Sequence, residues 1–430
     1  MFEKLNQLIP FGNFIRNKSI QNFIFLAIIQ SSNVLISIIS VPLLIQSIGV
    51  DQFGLVNLAL SVIILLNILV GFGYNLSAPR EVAVSQNDKT ALSHLVSNIF
   101  SAKLILALLA SVLVLGGIFV FGLFEGYQVI LIYSMMILFS EATLPLWFFQ
   151  GMEKMKLISI ANIFSKLLFL MGIVLFIHDP DQSQWVNFMM GFFGLGINLL
   201  LLGYIHGVME IRFFRPEFAT IWKSLTENIL LFFSNLASYI SISGGLIILS
   251  FFSPASTLGM YSLAEKVAMV LRLFPALIVQ AIFPNASKLY QEDQQAFFKF
   301  LRNTYGKVLF GGLLISLGTF GAAPWIIKVL SRSDLEESTQ FLKILAFLPF
   351  LACLNVGNIT LMLVADLKNL LFKASWMMCL YMVSISAILT SQLGPLGLCY
   401  GILSTEVVAF FICLVLLYQR KKHLLLGLFS

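Results

Sequence analysis

Phe53-Gly-Leu-Val-Asn-Leu-Ala-Leu-Ser-Val62 returns 205 positions later as Leu258-Gly-Met-Tyr-Ser-Leu-Ala-Glu-Lys-Val267. The same offset, without a gap, sets Leu66 on Leu271, Pro79 on Pro284, Gln86 on Gln291 and Asp88 on Asp293. Eight identities therefore fall in the 36 positions from 53 to 88, more than two unrelated apolar helices share by chance. Self-similarity of this kind predicts that the chain was built twice. Working outward, the repeat divides the chain into residues 1–207 and 208–430.

Each half is dominated by apolar runs. Of the 430 residues, 59% are hydrophobic and 11% charged, against about 25% charged in a soluble domain. Runs of about 20 apolar residues are long enough to cross a bilayer as helices. Spans are expected at 21–47, 54–76, 96–121, 128–149, 157–177 and 185–206, then at 228–251, 261–283, 305–329, 342–364, 370–391 and 396–418. The predicted fold is an all-α polytopic membrane protein of about a dozen spans, in two six-helix bundles around a central cavity. The apolar run after Lys4, Arg16 and Lys18 is of full bilayer length, so it reads as a retained first span, not a cleaved signal.

Orientation follows from Lys and Arg. Nineteen of the 26 fall in one set of connections and the two termini, including Arg80, Lys89, Lys154, Lys156, Arg302, Arg420, Lys421 and Lys422; the other set holds Lys328, Arg332 and Lys343. Both termini are thus expected in the cytoplasm. Six spans is an even number, so both halves enter the membrane in the same direction. Transporters of parallel-repeat build bind substrate between the halves and rock one against the other.

The formal charge of +6 is scattered over inter-span loops, which argues against nucleic acid as a partner. Cys353, Cys379, Cys399 and Cys413 lie within apolar spans and form no Cys-x-x-Cys pair, so no metal site is expected. His94, His178, His206 and His423 are dispersed, and no Walker loop, HExxH or Gly-x-Ser-x-Gly sequence occurs. No enzymatic constellation and no cofactor are expected.

Chemistry is expected instead from ionisable residues inside the spans: Lys103, Glu141, Lys166, Glu265, Lys266, Arg272 and Glu406. Each costs roughly 2.5–3.5 kcal/mol at the bilayer centre if it faces lipid. They must face a cavity, pair with one another, or snorkel, the last a specific alternative for Lys103. Ser159, Asn162 and Lys166 share one helix face; Gln30, Asn33 and Ser37 share another, matched under the offset by Asn235 and Ser238. Lys166, Arg272, Lys103 and Lys266 suit an anionic cargo, and Gln30, Asn33 and Asn162 a hydroxyl-rich one. Glu141, Glu265 or Glu406 could carry H⁺ or Na⁺ coupling. A drug/cation antiporter would favour acids over these cations, and a glycan polymerase or glycosyltransferase would need a large outward loop.

Phe25-Leu-Ala-Ile-Ile-Gln-Ser-Ser-Asn33, Val41-Pro42 and Ser47-Ile-Gly-Val-Asp-Gln-Phe-Gly54 resemble the opening of O-antigen and related polysaccharide flippases. Gly71-Phe-Gly-Tyr-Asn-Leu-Ser-Ala78 is similar to the end of their second span, and Leu144-Pro-Leu-Trp-Phe-Phe-Gln-Gly-Met-Glu-Lys-Met-Lys156 to their fourth-span exit. Pro284 and Glu406 also fit. The resemblance implies a member of the multidrug/oligosaccharidyl-lipid/polysaccharide flippase superfamily in a bacterial inner membrane. Its implied cargo is an undecaprenyl-pyrophosphate-linked oligosaccharide, with membrane lipid around it and an O-antigen polymerase and chain-length regulator as partners.

Overall fold

The computed structural model describes the backbone of residues 18–429 and the side chains of residue 21 and residues 24–420. Lys4, Arg16 and the side chains of Lys18, Lys421, Lys422 and His423 lie outside the described residues. No strand occurs among the described residues. Ten of their helices are long and apolar enough to cross a membrane.

The first of the ten, Ile24–Ser85, has 62 residues. At 1.5 Å per residue it is about 93 Å long, some three times the hydrocarbon thickness. It is two predicted spans. Within α1 (Lys18–Gly71) the helix breaks at Gly49, whose φ of 78° is open to glycine and strained for other residues. Gly73, at φ 83°, then separates α2 (Tyr74–Ser85). Nine further helices match nine further expected spans. The remaining one, 228–251, is not among the ten. Its helix α9 (Phe218–Ser243) carries Asn228, Ser234, Asn235, Ser238 and Ser241, which lower its hydropathy, and stops at Gly244 before α10 (Gly245–Leu249).

Contacts divide the chain into two units. One runs up to Leu43 and resumes over Val62–Asn235; the other comprises Leu44–Ser61 and Leu236 onward. In the first unit, α3 (Lys89–Phe119) is followed by a span in three pieces, α4 (Gln128–Ser134), α5 (Met136–Thr143) and α6 (Leu146–Gly151). Pro145 explains the second break, because it drives Leu144 to an extended ψ of 113°. α7 (Met155–Phe176) and α8 (Gln184–Gly207) complete the unit's membrane helices.

The core of this unit gathers Tyr74, Ala78 and Val82 of α2 against Trp147, Phe148 and Phe149 of α6. A Cβ on Gly151 would lie 2.5 Å from the Pro79 carbonyl oxygen and 2.6 Å from Val82 Cβ, so glycine sets this approach. The Trp-Phe-Phe-Gln-Gly stretch is therefore packing. The connection at 208–217 lies along α3: the Arg212, Phe214 and Glu217 amides donate to Ser93 Oγ, Ser97 Oγ and Asn98 Oδ1 at 3.1, 2.9 and 3.1 Å. Each donor satisfied in this way is one that extended backbone would otherwise leave open. Lys89 pairs with Glu210, and that hydrogen bond holds the carboxyl below its usual range. The clip therefore persists through the usual carboxylate range and is released only as pH falls below it.

The second unit contains α11 (Ala255–Glu292), α12 (Gln294–Ser331), a span in pieces α13 (Glu336–Leu345), α14 (Leu348–Cys353) and α15 (Val356–Val364), then α16 (Lys368–Leu393) and α17 (Pro395–Phe429). Asp88 caps α3 by accepting from Thr90 and Ala91 at 2.9 and 3.0 Å; Asp293 caps α12 by accepting from Gln295 and Ala296 at 2.9 and 3.1 Å. Two residues related by the 205-position offset thus do one job, ending the connection and starting the next helix.

Candidate functional site

In the first unit, Lys103 of α3 is 0% exposed and its Nζ lies 3.4 Å from Oε1 of Glu141 on α5. The snorkelling alternative is corrected: the ammonium is enclosed and turned to a carboxylate inside the unit. Glu141 keeps 20% exposure, and the surface it shows lines a cavity of about 240 Å³ among α1, α5, α7 and α8.

Local sequence explains the shape. A Cβ on Gly194 would stand 2.3 Å from Ser140 Oγ, so α8 comes close to α5. One turn later Asn198 donates from Nδ2 to the Ser140 carbonyl at 2.8 Å. Asn33 and Asn67 of α1, with Asn162 and Lys166 of α7, complete the polar lining; Ile137, Leu144 and Leu201 are among the apolar walls. Asn67 Oδ1 and Asn162 Oδ1 are buried without a hydrogen-bond partner among the described residues. No ion pair reaches Lys166 among the described residues, while Lys103 and Glu141 offset each other. The cavity is therefore an apolar-walled space with one uncompensated cation and open amide acceptors. Such a space suits an anionic group carried beside hydroxyl donors, since a phosphate alone offers only acceptors. Ligand pockets commonly measure about 300–1,000 Å³, so this one takes part of a larger molecule.

Of the residues singled out in the sequence, Asn33, Asn162, Lys166 and Glu141 line this cavity, which lies within the first unit; Asn67, Asn198 and Ser140, not singled out there, line it too. The signal was available, since a lone Asn inside an apolar span is costly unless it has a task. Gln30 is exposed on α1 and is not part of the lining. Ser159 is spent on packing: its Oγ donates to the Phe25 and Met155 carbonyls at 3.1 and 2.9 Å.

In the second unit, Arg272 of α11 forms an ion pair with Glu406 of α17 and donates from Nη1 to the Ile242 carbonyl at 3.0 Å. Asn355 Nδ2 holds the Glu406 backbone carbonyl at 3.1 Å. Glu265 accepts from the enclosed Tyr261 hydroxyl at 3.4 Å, and the Lys266 ammonium lies 5.9 Å from the Phe53 ring centroid. Arg272, Glu406, Glu265 and Lys266 thus sit in two settings, one paired across helices and one beside aromatic rings. Among the described residues no group of His, Cys, Asp and Glu could hold a metal ion.

Repeated helical spans with charges turned inward define a multi-pass membrane protein of transporter type. The chain belongs to the polysaccharide biosynthesis protein family, whose sequence profile matches residues 19–290. It is 24% identical over 415 residues to a protein of Escherichia coli (strain K12) named "Putative O-antigen transporter", covering 94% of this chain and 97% of that one. A protein of the same name from Shigella dysenteriae is 26% identical over 397 residues, covering 90% and 97%. The fold is similar to that of an inward-facing multidrug resistance transporter of the MATE family and MOP superfamily, at 13% identity and a TM-score of 0.71, over 91% of this chain and 98% of that one. It is equally similar to the lipid II flippase MurJ in an inward closed conformation, at 14% identity and a TM-score of 0.71, over 95% and 90%.

Proposed function

We propose that the protein flips undecaprenyl-pyrophosphate-linked oligosaccharide repeat units from the cytoplasmic to the periplasmic leaflet, by alternating access coupled to H⁺ or Na⁺. The observation that carries this reading is the first-unit cavity, where, among the described residues, Lys166 stands without an ion pair beside the open acceptors of Asn67 and Asn162. A sugar crossing hydrocarbon would leave each of its polar groups unsatisfied. Here a ring's hydroxyls meet amide oxygens and an adjoining anion meets Lys166, while the prenyl tail stays in lipid. The O-antigen transporter names of the two relatives support the cargo class and a transporter in place of an enzyme. Both termini lie in the cytoplasm under the Lys/Arg asymmetry, and the exported unit passes to a polymerase and chain-length regulator. A cationic drug is the poorer cargo, because Lys166 would repel it.

Deleting the gene tests the reading. Glycosyltransferases should still complete the lipid-linked unit, which should accumulate in lipid extracts and bind lectin only in everted vesicles. Units exposed on the periplasmic face at wild-type levels, with no redundant flippase present, would sink the assignment. A truncated unit would point to an enzyme that builds it.

A further inference from the structure

A second cavity, of about 290 Å³, opens in the second unit among α12, α15 and α17. Its walls include Leu301, Leu354 and Phe410, which offer no side-chain polar atom. The Tyr305 hydroxyl also lines it but is engaged by the Leu354 carbonyl, and two further polar groups stand out. Asn358 is 1% exposed, yet neither its Oδ1 nor its Nδ2 has a partner among the described residues. Arg302 is exposed, and no ion pair reaches it among the described residues.

The break in span ten creates this arrangement. Helix α14 ends at Cys353 and α15 begins at Val356; the Tyr305 hydroxyl donates across to the Leu354 carbonyl at 3.2 Å. The first turn of α15 then puts Gly357 and Asn358 on the cavity wall. Broken helices at membrane depth are tolerated where they line a cavity, and their polar atoms serve what occupies it. Buried amides are nearly always hydrogen-bonded, so one with donor and acceptor both open calls for an occupant. That occupant must supply an acceptor and a donor together. Arg302 adds a second requirement. It lies among Lys299 and Lys307, in a stretch whose basic residues belong at the membrane interface, where a guanidinium forks onto phosphate.

We propose that this cavity binds the head end of an anionic phospholipid whose headgroup carries hydroxyls, of the phosphatidylglycerol class. The phosphate pairs with Arg302, a headgroup hydroxyl donates to Asn358 Oδ1 and accepts from Nδ2, and the acyl chains stay in the bilayer, since the cavity is too small for them. A prenyl phosphate fits less well. Its polar atoms all belong to the phosphate, which is mostly doubly ionised at neutral pH and in that form has no proton to donate to Asn358 Oδ1. The site is separate from the first-unit cavity and does not depend on the cargo assigned to it.

The full-length protein, delipidated in mild detergent, should be titrated with phosphatidylglycerol, phosphatidic acid, phosphatidylcholine, undecaprenyl phosphate and inorganic phosphate, reading bound lipid by native mass spectrometry. Phosphatidylglycerol should bind best. Arg302→Gln should weaken it about tenfold, the worth of one charge-assisted hydrogen bond, and bring it level with phosphatidylcholine. Arg302→Lys should keep most of the preference, which separates charge from folding. Asn358→Leu replaces the open amide with an apolar group of similar size and should fold well. In that variant phosphatidylglycerol should drop to the level of phosphatidic acid, which has the phosphate but no headgroup hydroxyl. Equal binding of phosphatidylcholine by the wild type, a preference for undecaprenyl phosphate or inorganic phosphate, or a phosphatidylglycerol preference unchanged in both the Arg302→Gln and Asn358→Leu variants would each overturn the proposal.

Discussion

Gly54 and Gly259, 205 positions apart and equivalent in the internal repeat, meet backbone to backbone. A Cβ on Gly54 would lie 2.4 Å from the Gly259 nitrogen and 2.6 Å from the Ala255 carbonyl oxygen. A Cβ on Gly259 would lie 2.0 Å from the Val50 carbonyl oxygen. Val50 and Ala255 are themselves separated by 205 positions, so each glycine faces the residue four before its counterpart. Such reciprocity is the mark of a two-fold-related contact. It lies wholly within the second unit, which takes in Leu44–Ser61, and close approach through small residues is how membrane helices pack without a hydrophobic drive.

A methyl group at either position must push backbone apart. Gly54→Ala and Gly259→Ala should each destabilise the protein by about 1–3 kcal/mol, the usual cost of overpacking. Because both act on one crossing, the double variant should cost less than the sum. Thermal unfolding in detergent would measure this, and a Gly54→Ala protein as stable as wild type would refute the tight crossing.

Much of this was legible in the sequence, for physical reasons that differ by element. The repeat was readable because Gly54, Asp88 and their partners Gly259 and Asp293 each have a backbone task, a close crossing or a helix cap, that few other residues perform. The apolar runs gave eleven of the twelve expected spans directly. Span seven is harder to read because Asn228, Asn235 and its serines dilute it. The site was half legible. An ionisable residue in an apolar span announces itself, but its partner does not: nothing in the sequence places Lys103 on Glu141, 38 positions on, or Arg272 on Glu406, 134 positions on. Asn67 and Asn358 carry no charge to single them out in the sequence; what marks them is the fold, which leaves Asn67 Oδ1 and both amide atoms of Asn358 without a partner among the described residues.

Lys103 and Glu141 should respond unequally to mutation. Glu141→Gln leaves an enclosed ammonium with no counter-charge and should cost about 3–5 kcal/mol. Lys103→Met leaves a carboxylate that reaches the cavity and can be hydrated there, so its cost should be smaller. The combined variant should regain most of the stability, and a thermal double-mutant cycle would show it. Glycan export then tests coupling. A stable but inactive double variant supports ion transfer at Glu141, and a stable, fully active one removes Glu141 from that role.

Arg272 has its terminal nitrogens engaged by Glu406 and by the Ile242 carbonyl. Arg272→Ala should therefore lower both stability and surface glycan. Arg272→Lys keeps the charge but loses the fork, and should retain part of the export. Exchanging the pair, as Arg272→Glu with Glu406→Arg, should restore expression toward wild type. Should Arg272→Ala leave expression and thermal stability untouched while abolishing glycan, the pairing would be dispensable and the guanidinium would act on cargo directly.

The first-unit cavity makes the sharpest demand on cargo, because its charge and its acceptors can be removed separately. Lys166 has no ion pair to lose among the described residues, so Lys166→Met should insert and fold as well as wild type while export falls sharply. Lys166→Arg keeps a cation in the same place and should rescue part of it. Asn67→Leu and Asn162→Leu each replace an open buried acceptor with an apolar group of similar size. Each should hold or raise thermal stability, because an unpaired buried polar group costs about 1–3 kcal/mol. Each should nevertheless reduce export, since the cargo's hydroxyl then loses its acceptor inside the protein. Rising stability with falling export is the signature of a residue kept for binding at the expense of folding. The measurement is surface glycan per unit of inserted protein, beside the melting temperature of each purified variant. Full export by Lys166→Met at normal expression would remove the cation from the mechanism. Full export by both leucine variants would show that the cavity does not read hydroxyls.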